Sequence, residues 1–172
     1  MRINFYALRA IYFHEMDRFR RTLIQSLLSP VLSTSLYFIV FGSVIGDYVQ
    51  KIDGISYGSY IVPGLLMLTL LTQSISNTSF GIFFPKFNGT IYEILAAPIS
   101  TVEIVIAYVG AGATKTLIVA AVIFCTSLFF AEVNVKFPLL MIFLLILVAF
   151  TFALFGFLIG LLSKNFEQMS II

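Results

Sequence analysis

Charge is scarce in this chain: only 10% of its 172 residues are Asp, Glu, Lys or Arg, against 60% hydrophobic residues and a mean hydropathy of +1.05. A soluble domain of this length cannot bury that much apolar surface in one core, so a water-soluble fold is excluded. Cys125 is the only cysteine and lies in an apolar run, which excludes a disulfide framework or a cysteine metal cluster within the chain. His14 is the only histidine, and His14-Glu15 lacks the second histidine of a zinc-protease helix. Gly110-Ala-Gly-Ala-Thr-Lys115-Thr116 approximates a phosphate loop, but Thr114 stands where the glycine before the lysine is required, and the surrounding apolar run would shut a nucleotide out. Asn77-Thr-Ser and Asn88-Gly-Thr fit the glycosylation pattern but fall in a span and in a cytoplasmic segment. With no acid pair, nucleophile–base set or redox box, the chain has no evident chemistry of its own, and no cofactor is expected.

What is abundant is continuous apolar sequence. Four runs, 22–46, 60–84, 104–130 and 139–162, each exceed the roughly 20 residues that a helix needs to cross a hydrocarbon core about 30 Å thick. A membrane barrel would show alternating segments of about ten residues instead. The fold expected is an all-α integral membrane protein, one domain over 1–172: an N-terminal interfacial amphipathic helix at 1–21, four transmembrane helices, and the start of a fifth at the C-terminus. Arg2, Arg9, Arg18, Arg20 and Arg21 precede the first run, whereas the next loop holds Lys51 beside Asp47 and Asp53. The positive-inside rule therefore places the N-terminus in the cytoplasm. The remaining lysines divide evenly, Lys86 and Lys164 inside against Lys51 and Lys136 outside, so the five arginines alone set the orientation.

Between Asn4 and Arg21, Phe5, Leu8, Tyr12, Met16 and Phe19 form an apolar stripe at helical spacing, with most arginines elsewhere, as suits a helix in the inner interface. Pro30 is expected to kink the first span, and Pro63 to start or bend the second. Thr69, Gln73 and Asn77 recur every four residues and make one face of the second span polar, either for helix–helix hydrogen bonding or as the lining of a translocation path. Lys115 lies near the middle of the third run, where an unpaired cation costs about 2.5–3.5 kcal/mol on insertion scales. It either faces a polar cavity or snorkels to head groups, with Ile104 to Thr114 partly at the inner interface. Gly110, Gly112, Gly156 and Gly160 permit close helix approach. Between the second and third spans, Gly89 and Pro98 bracket a short stretch in which Ile91, Ile94 and Leu95 share one side beside Tyr92 and Glu93. A brief amphipathic helix at a cytoplasmic face suits docking into a groove of a soluble partner.

These residues resemble the transmembrane subunit of type-2 ABC exporters, the permeases of bacterial drug and polysaccharide export. The likeness rests on Tyr60-Ile-Val-Pro-Gly-Leu-Leu-Met and on Gly89-Thr-Ile-Tyr-Glu-Ile-Leu-Ala-Ala-Pro-Ile-Ser, supported by the basic amphipathic N-terminus and by Tyr108-Val-Gly-Ala-Gly-Ala. The resemblance implies that the 85–101 segment is a coupling element, with Thr90, Ile91, Tyr92, Glu93, Ile94, Leu95 and Pro98 against a cytoplasmic ABC ATPase. It further implies a homodimer in the bacterial inner membrane, ATP hydrolysis by a separate chain, no nucleic-acid partner, and outward transport of a hydrophobic, lipid-linked or glycan substrate. Permeases of that kind carry six spans, so this chain is expected to represent the N-terminal two-thirds. A non-transporting membrane scaffold that recruits a soluble protein through the same loop is the alternative.

Overall fold

Helix ends in this chain are written in its polar residues. The computed structural model describes residues 4–41, 51–52, 55–131, 133 and 135–171. Arg2, Asp47, Asp53, Ile172 and the 42–46 end of the first apolar run lie outside the described residues. Helix α1 spans Phe5–Arg21, its first turn capped by the Asn4 side chain, which accepts from the Ala7 N–H at 3.3 Å. Arg18, Arg20 and Arg21 fill its last turn, where cations complement the helix dipole. The helix stops at Thr22, whose backbone N–H and side-chain hydroxyl both turn back to the Arg18 and Phe19 carbonyls. Helix α2, Leu23–Ile39, leaves at 64° to α1. The sharp bend thus falls at Thr22, and α2 runs through Pro30 without a break.

Two-residue strands β1 (Lys51–Ile52) and β2 (Ile55–Ser56) pair antiparallel. Ser56 then caps α3, Tyr57–Asn88, which begins three residues before the expected span and contains both Pro63 and Pro85. Pro63 therefore neither starts nor interrupts it. The stop comes at Gly89, whose φ of 80° ends the helix in the left-handed conformation that glycine adopts without steric cost. Helix α4 is the short Ile91–Ala96. Helix α5, Thr101–Ser127, starts in a reciprocal capping box between Ser100 and Glu103. Helix α6, Pro138–Leu162, has proline in its first turn, and α7 covers Phe166–Ile171.

Among the described residues, three helices, α3, α5 and α6, are long and apolar enough to cross a membrane, and α1 with α2 meet the same test only as a bent pair, giving up to four. The outer surface of α6 shows Leu139, Phe143, Leu147, Phe150, Leu154, Leu158 and Leu161, a face that only lipid or another apolar helix can cover. Helix α5 is central, touching α1, α2, α3 and α6. It shares with α3 and α6 a core of Leu66, Leu70, Ile82, Tyr108, Ala113, Ala149, Ala153 and Phe157.

Shape, more than hydropathy, orients α6. Ala149, Ala153, Gly156 and Gly160 make a flat stripe against α3, and the buried Ser74 hydroxyl donates to the Ala149 carbonyl at 2.6 Å. A Cβ at Gly156 would stand 2.5 Å from the Ile75 carbonyl oxygen, and one at Gly160 would strike the Ser79 carbonyl. Gly112 plays the same part between α5 and Thr78 of α3. These glycines serve close approach inside one chain.

Candidate functional site: the α4 turn and the α1–α5 contact

Helix α4 hangs between two well-defined ends. On one side Gly89 closes α3, with the Thr90 hydroxyl donating to the Pro85 carbonyl at 3.4 Å. On the other, the Ser100 N–H donates to Glu103 Oε2 at 2.8 Å while the Glu103 N–H donates to Ser100 Oγ at 3.3 Å. Ile91 and Ile94 turn inward against the core, joined by Ile99 from the following turn. Tyr92, 72% exposed, and Leu95, 60% exposed, point away, together with Glu93 and Pro98. Leu95 therefore does not share the Ile91–Ile94 side, as its spacing suggests: six residues complete fewer than two turns, and Ile99 returns to fill the inward position instead. Pro85 also belongs to α3, so the non-helical part of the 85–101 segment is confined to Gly89–Thr90 and to 97–100. The outward face is two apolar side chains, one carboxylate and one proline, a mixed surface of the kind that docks in a soluble groove.

At the same end, the Lys86 ammonium donates to the Leu161 carbonyl at 2.6 Å and to the Ser163 carbonyl at 2.9 Å. It satisfies acceptors that the end of α6 leaves open. Phe166 packs edge-on against Phe83 and Phe87 with ring centroids 4.8 and 4.9 Å apart, which fastens the start of α7 to the end of α3.

Lys115 is buried, 3% exposed, and its ammonium lies 2.7 Å from Glu15 Oε2. Glu15, 2% exposed, also receives Arg18 Nη2 at 2.8 Å. Gly81 of α3 covers the group: a Cβ there would meet Glu15 Oε2, Tyr108 and Arg18 Nη2 within 4 Å. Three helices thus converge on one carboxylate. Lys115 thus meets neither a polar cavity nor lipid head groups but a counter-ion 100 residues away in sequence. Glu15 is readable as a candidate in one respect: it falls between Tyr12 and Phe19 at helical spacing, inside the apolar stripe. The inward side of α1 indeed holds Leu8, Ile11, Tyr12, Glu15, Met16 and Phe19, whereas Phe5 is turned out.

Contacts along α1 keep a nearly constant offset from α5. The Asn4 N–H donates to Glu103 Oε1 at 2.6 Å, Tyr12 Oη to Thr114 Oγ1 at 3.1 Å, Lys115 to Glu15, and Phe19 packs with Val119 and Ile123. The two helices therefore run side by side in the same direction over nearly the full length of α1.

The polar face of α3 lies apart from this group. Thr69 Oγ1 donates to its own Leu65 carbonyl at 2.8 Å, and Asn77 Nδ2 to Gln73 Oε1 at 3.4 Å. All three are half-buried and none contacts Lys115 in a hydrogen bond among the described residues. A cavity of about 870 Å³ opens at the other end of the bundle, lined by Tyr60, Pro63, Leu66, Phe124 and Leu144 among others. Thr69, Gln73, Asn77 and Lys115 are outside that lining.

A helical protein with several apolar spans and a short mixed helix hung from one end is built as a polytopic membrane subunit. Comparison with known proteins gives the particular kind. Residues 6–172 match the ABC-2 type transporter family, and the chain belongs to that family. It is 37% identical over 172 residues to the inner membrane transport permease YadH of Escherichia coli strain K12, an alignment that covers all of this chain and 67% of that relative. The YadH permeases of Escherichia coli O157:H7 and Shigella flexneri give the same figures. No solved structure matches the chain. It is thus the membrane-spanning permease part of an ABC transporter.

Proposed function

We propose that this chain is the membrane subunit of an ATP-driven exporter, that it works as a homodimer in the bacterial inner membrane with its N-terminus in the cytoplasm, and that a separate ABC ATPase supplies the energy. The observation that carries this reading is the suspension of α4. Its backbone is fixed at both ends by Gly89 and by the Ser100–Glu103 box, its isoleucines are anchored inward, and Tyr92, Glu93, Leu95 and Pro98 remain for a partner. A partner that grips this face in one nucleotide state and releases it in another has the differential contact needed to shift a two-state equilibrium. Displacement of α4 is delivered directly to α3 and α5, between which it is strung. The half-buried Thr69, Gln73 and Asn77 are assigned to a hydrated path or to the contact with the second copy, since amides facing lipid are costly. Lys115, closed off by Glu15, is assigned to holding helices together. The substrate is hydrophobic, lipid-linked or a glycan.

Glu93→Lys tests the assignment, because the side chain is exposed and makes no hydrogen bond or ion pair among the described residues. The permease should insert at normal abundance while co-purification of the ATPase, or ATP hydrolysis coupled to export, falls. Normal recruitment and normal export would refute the role of α4. Normal recruitment by an unmodified chain that exports nothing would favour a scaffold.

A further inference from the structure

We infer that α1 and the first half of α5 move as one rigid lever, and that Glu15 and Lys115 are the positioning residues that make them so. The inference rests on the transporter reading and assigns residues that the α4 docking face does not include. Helix α1 is attached to α5 by polar contacts at two separated points. The lower is Glu103, whose two carboxylate oxygens hold the backbone N–H of Asn4 and that of Ser100. One residue therefore joins the start of α1, the start of α5 and the turn that follows α4. The upper is the Glu15–Lys115 pair with the adjoining Tyr12–Thr114 hydrogen bond, and Lys115 lies twelve residues further along α5 than Glu103, or about 18 Å at 1.5 Å per residue. A single attachment leaves α1 free to pivot, whereas two at that separation do not.

The chemistry of the upper point matters as much as its position. Apolar side chains such as Phe19, Val119 and Ile123 lose little contact when two helices slide, because the surface they slide along is also apolar. A buried ion pair behaves differently. Its attraction weakens once the ions part, and slippage by a single helical turn, about 5.4 Å, would strand the buried Lys115 ammonium while Glu15 kept only Arg18. The pair therefore adds a register-specific restraint to that of the surrounding packing. Buried pairs of this kind commonly add little net stability compared with apolar replacements, so the register they impose is the property to test. Arg18 sits on the same carboxylate and stacks over Phe80 of α3 with its guanidinium carbon 5.7 Å from the ring centroid. The cluster thus fixes α1 at the junction of α3 and α5, immediately below the Thr22 bend. A stroke received at α4 is then passed through Glu103 to α1 and α5 together, and reaches α2 at that bend.

The test uses the chain in lipid nanodiscs with its ATPase, in a Cys125→Ser background that removes the single native thiol. Glu15→Gln with Lys115→Met removes the buried pair together, and the Arg18 side chain, 29% exposed and stacked over Phe80, still reaches solvent, so abundance and monodispersity should stay near those of the unmodified protein. Permease-dependent ATP hydrolysis coupled to transport should fall at least about fivefold, the lower end of ordinary coupling between sites. Lys115→Arg, which keeps a cation beside Glu15 and leaves Arg18 its carboxylate, should retain it. Cysteines at Tyr12 and Thr114, whose side chains meet at 3.1 Å, provide the decisive comparison. Bridging them with a short cross-linker should leave the unmodified chain active and should rescue the uncharged variant. Inactivation of the unmodified chain by the bridge would show that α1 and α5 must separate, and would overturn the inference. So would full coupling in the uncharged variant. Spin labels at the same two positions read the lever without the ATPase: one narrow distance is expected, broadening when both charges are removed, and a broad distribution in the unmodified chain would refute rigidity. A narrow distance with no ATPase stimulation in any form would reject the transporter reading alone.

Discussion

Gly156→Ala should be among the most damaging single-methyl additions in this protein. The added Cβ would lie 2.5 Å from the Ile75 carbonyl oxygen and 2.9 Å from its Cα, against 3.4 Å or more for ordinary contact, so α6 must retreat from α3 by about 0.9 Å. The obstructing atoms are backbone and cannot be relieved by a rotamer change. Retreat also loosens Ala149 and Ala153 and lengthens the 2.6 Å bond from Ser74 to the Ala149 carbonyl. Overpacking of this kind costs roughly 1–3 kcal/mol, with a backbone clash at the upper end. Replacing a helical glycine by alanine returns about 0.5–1 kcal/mol of chain entropy. The expected net loss is about 2 kcal/mol, or a fall in Tm of roughly 4–8 °C for a chain of this size. Gly64→Ala is the matched control: it lies in α3 with nothing within 4 Å of its would-be Cβ, so only the favourable part remains and Tm should hold or rise slightly. Thermal unfolding of both variants in the same detergent measures the difference. Equal shifts, or a Gly156→Ala protein as stable as the unmodified one, would refute the close approach of α3 and α6.

Gly89→Ala meets no atoms either, yet its φ of 80° imposes a left-handed conformation, and a loss of about 1–2 kcal/mol is expected in the same assay. Lys86→Met removes the donor to the Leu161 and Ser163 carbonyls. Because this lysine is solvent-exposed, the effect should be local: faster amide exchange across 161–171 by mass spectrometry, with little change in Tm.

Most of the helical mass is legible in the sequence, whereas the contacts between helices are not, for identifiable physical reasons. Long apolar runs report helix existence well, and α3, α5 and α6 stand where those runs do. Their ends depend on single residues whose meaning is contextual. Pro85 looks like a terminator, but the helix passes through it and ends at Gly89, where the backbone itself changes hand. Pro30 looks like a kink, but the sharp turn is made by Thr22, whose hydroxyl and N–H both take carbonyls from the preceding turn. Lys115 was legible as a residue in need of a partner, and Glu15 as an acid misplaced in an apolar stripe. Joining them needs the register of two helices 100 residues apart, which periodicity within either one does not contain. Gly156 and Gly160 likewise announced a close neighbour without naming α3. The outward turn of Leu95 was illegible because a six-residue helix has too few turns for its spacing to define a face.

Synthesis proceeds from the N-terminus, and this gives the pairing across α1 and α5 a meaning for biogenesis. When the ribosome reaches Lys115, the anion that neutralises it was made 100 residues earlier. The lysine need not enter the bilayer as a naked cation, at a cost of about 2.5–3.5 kcal/mol; it can arrive beside a carboxylate already waiting. A chain stripped of α1 would lose that chaperone-like service, and insertion of its middle helix would become the weak step in assembly.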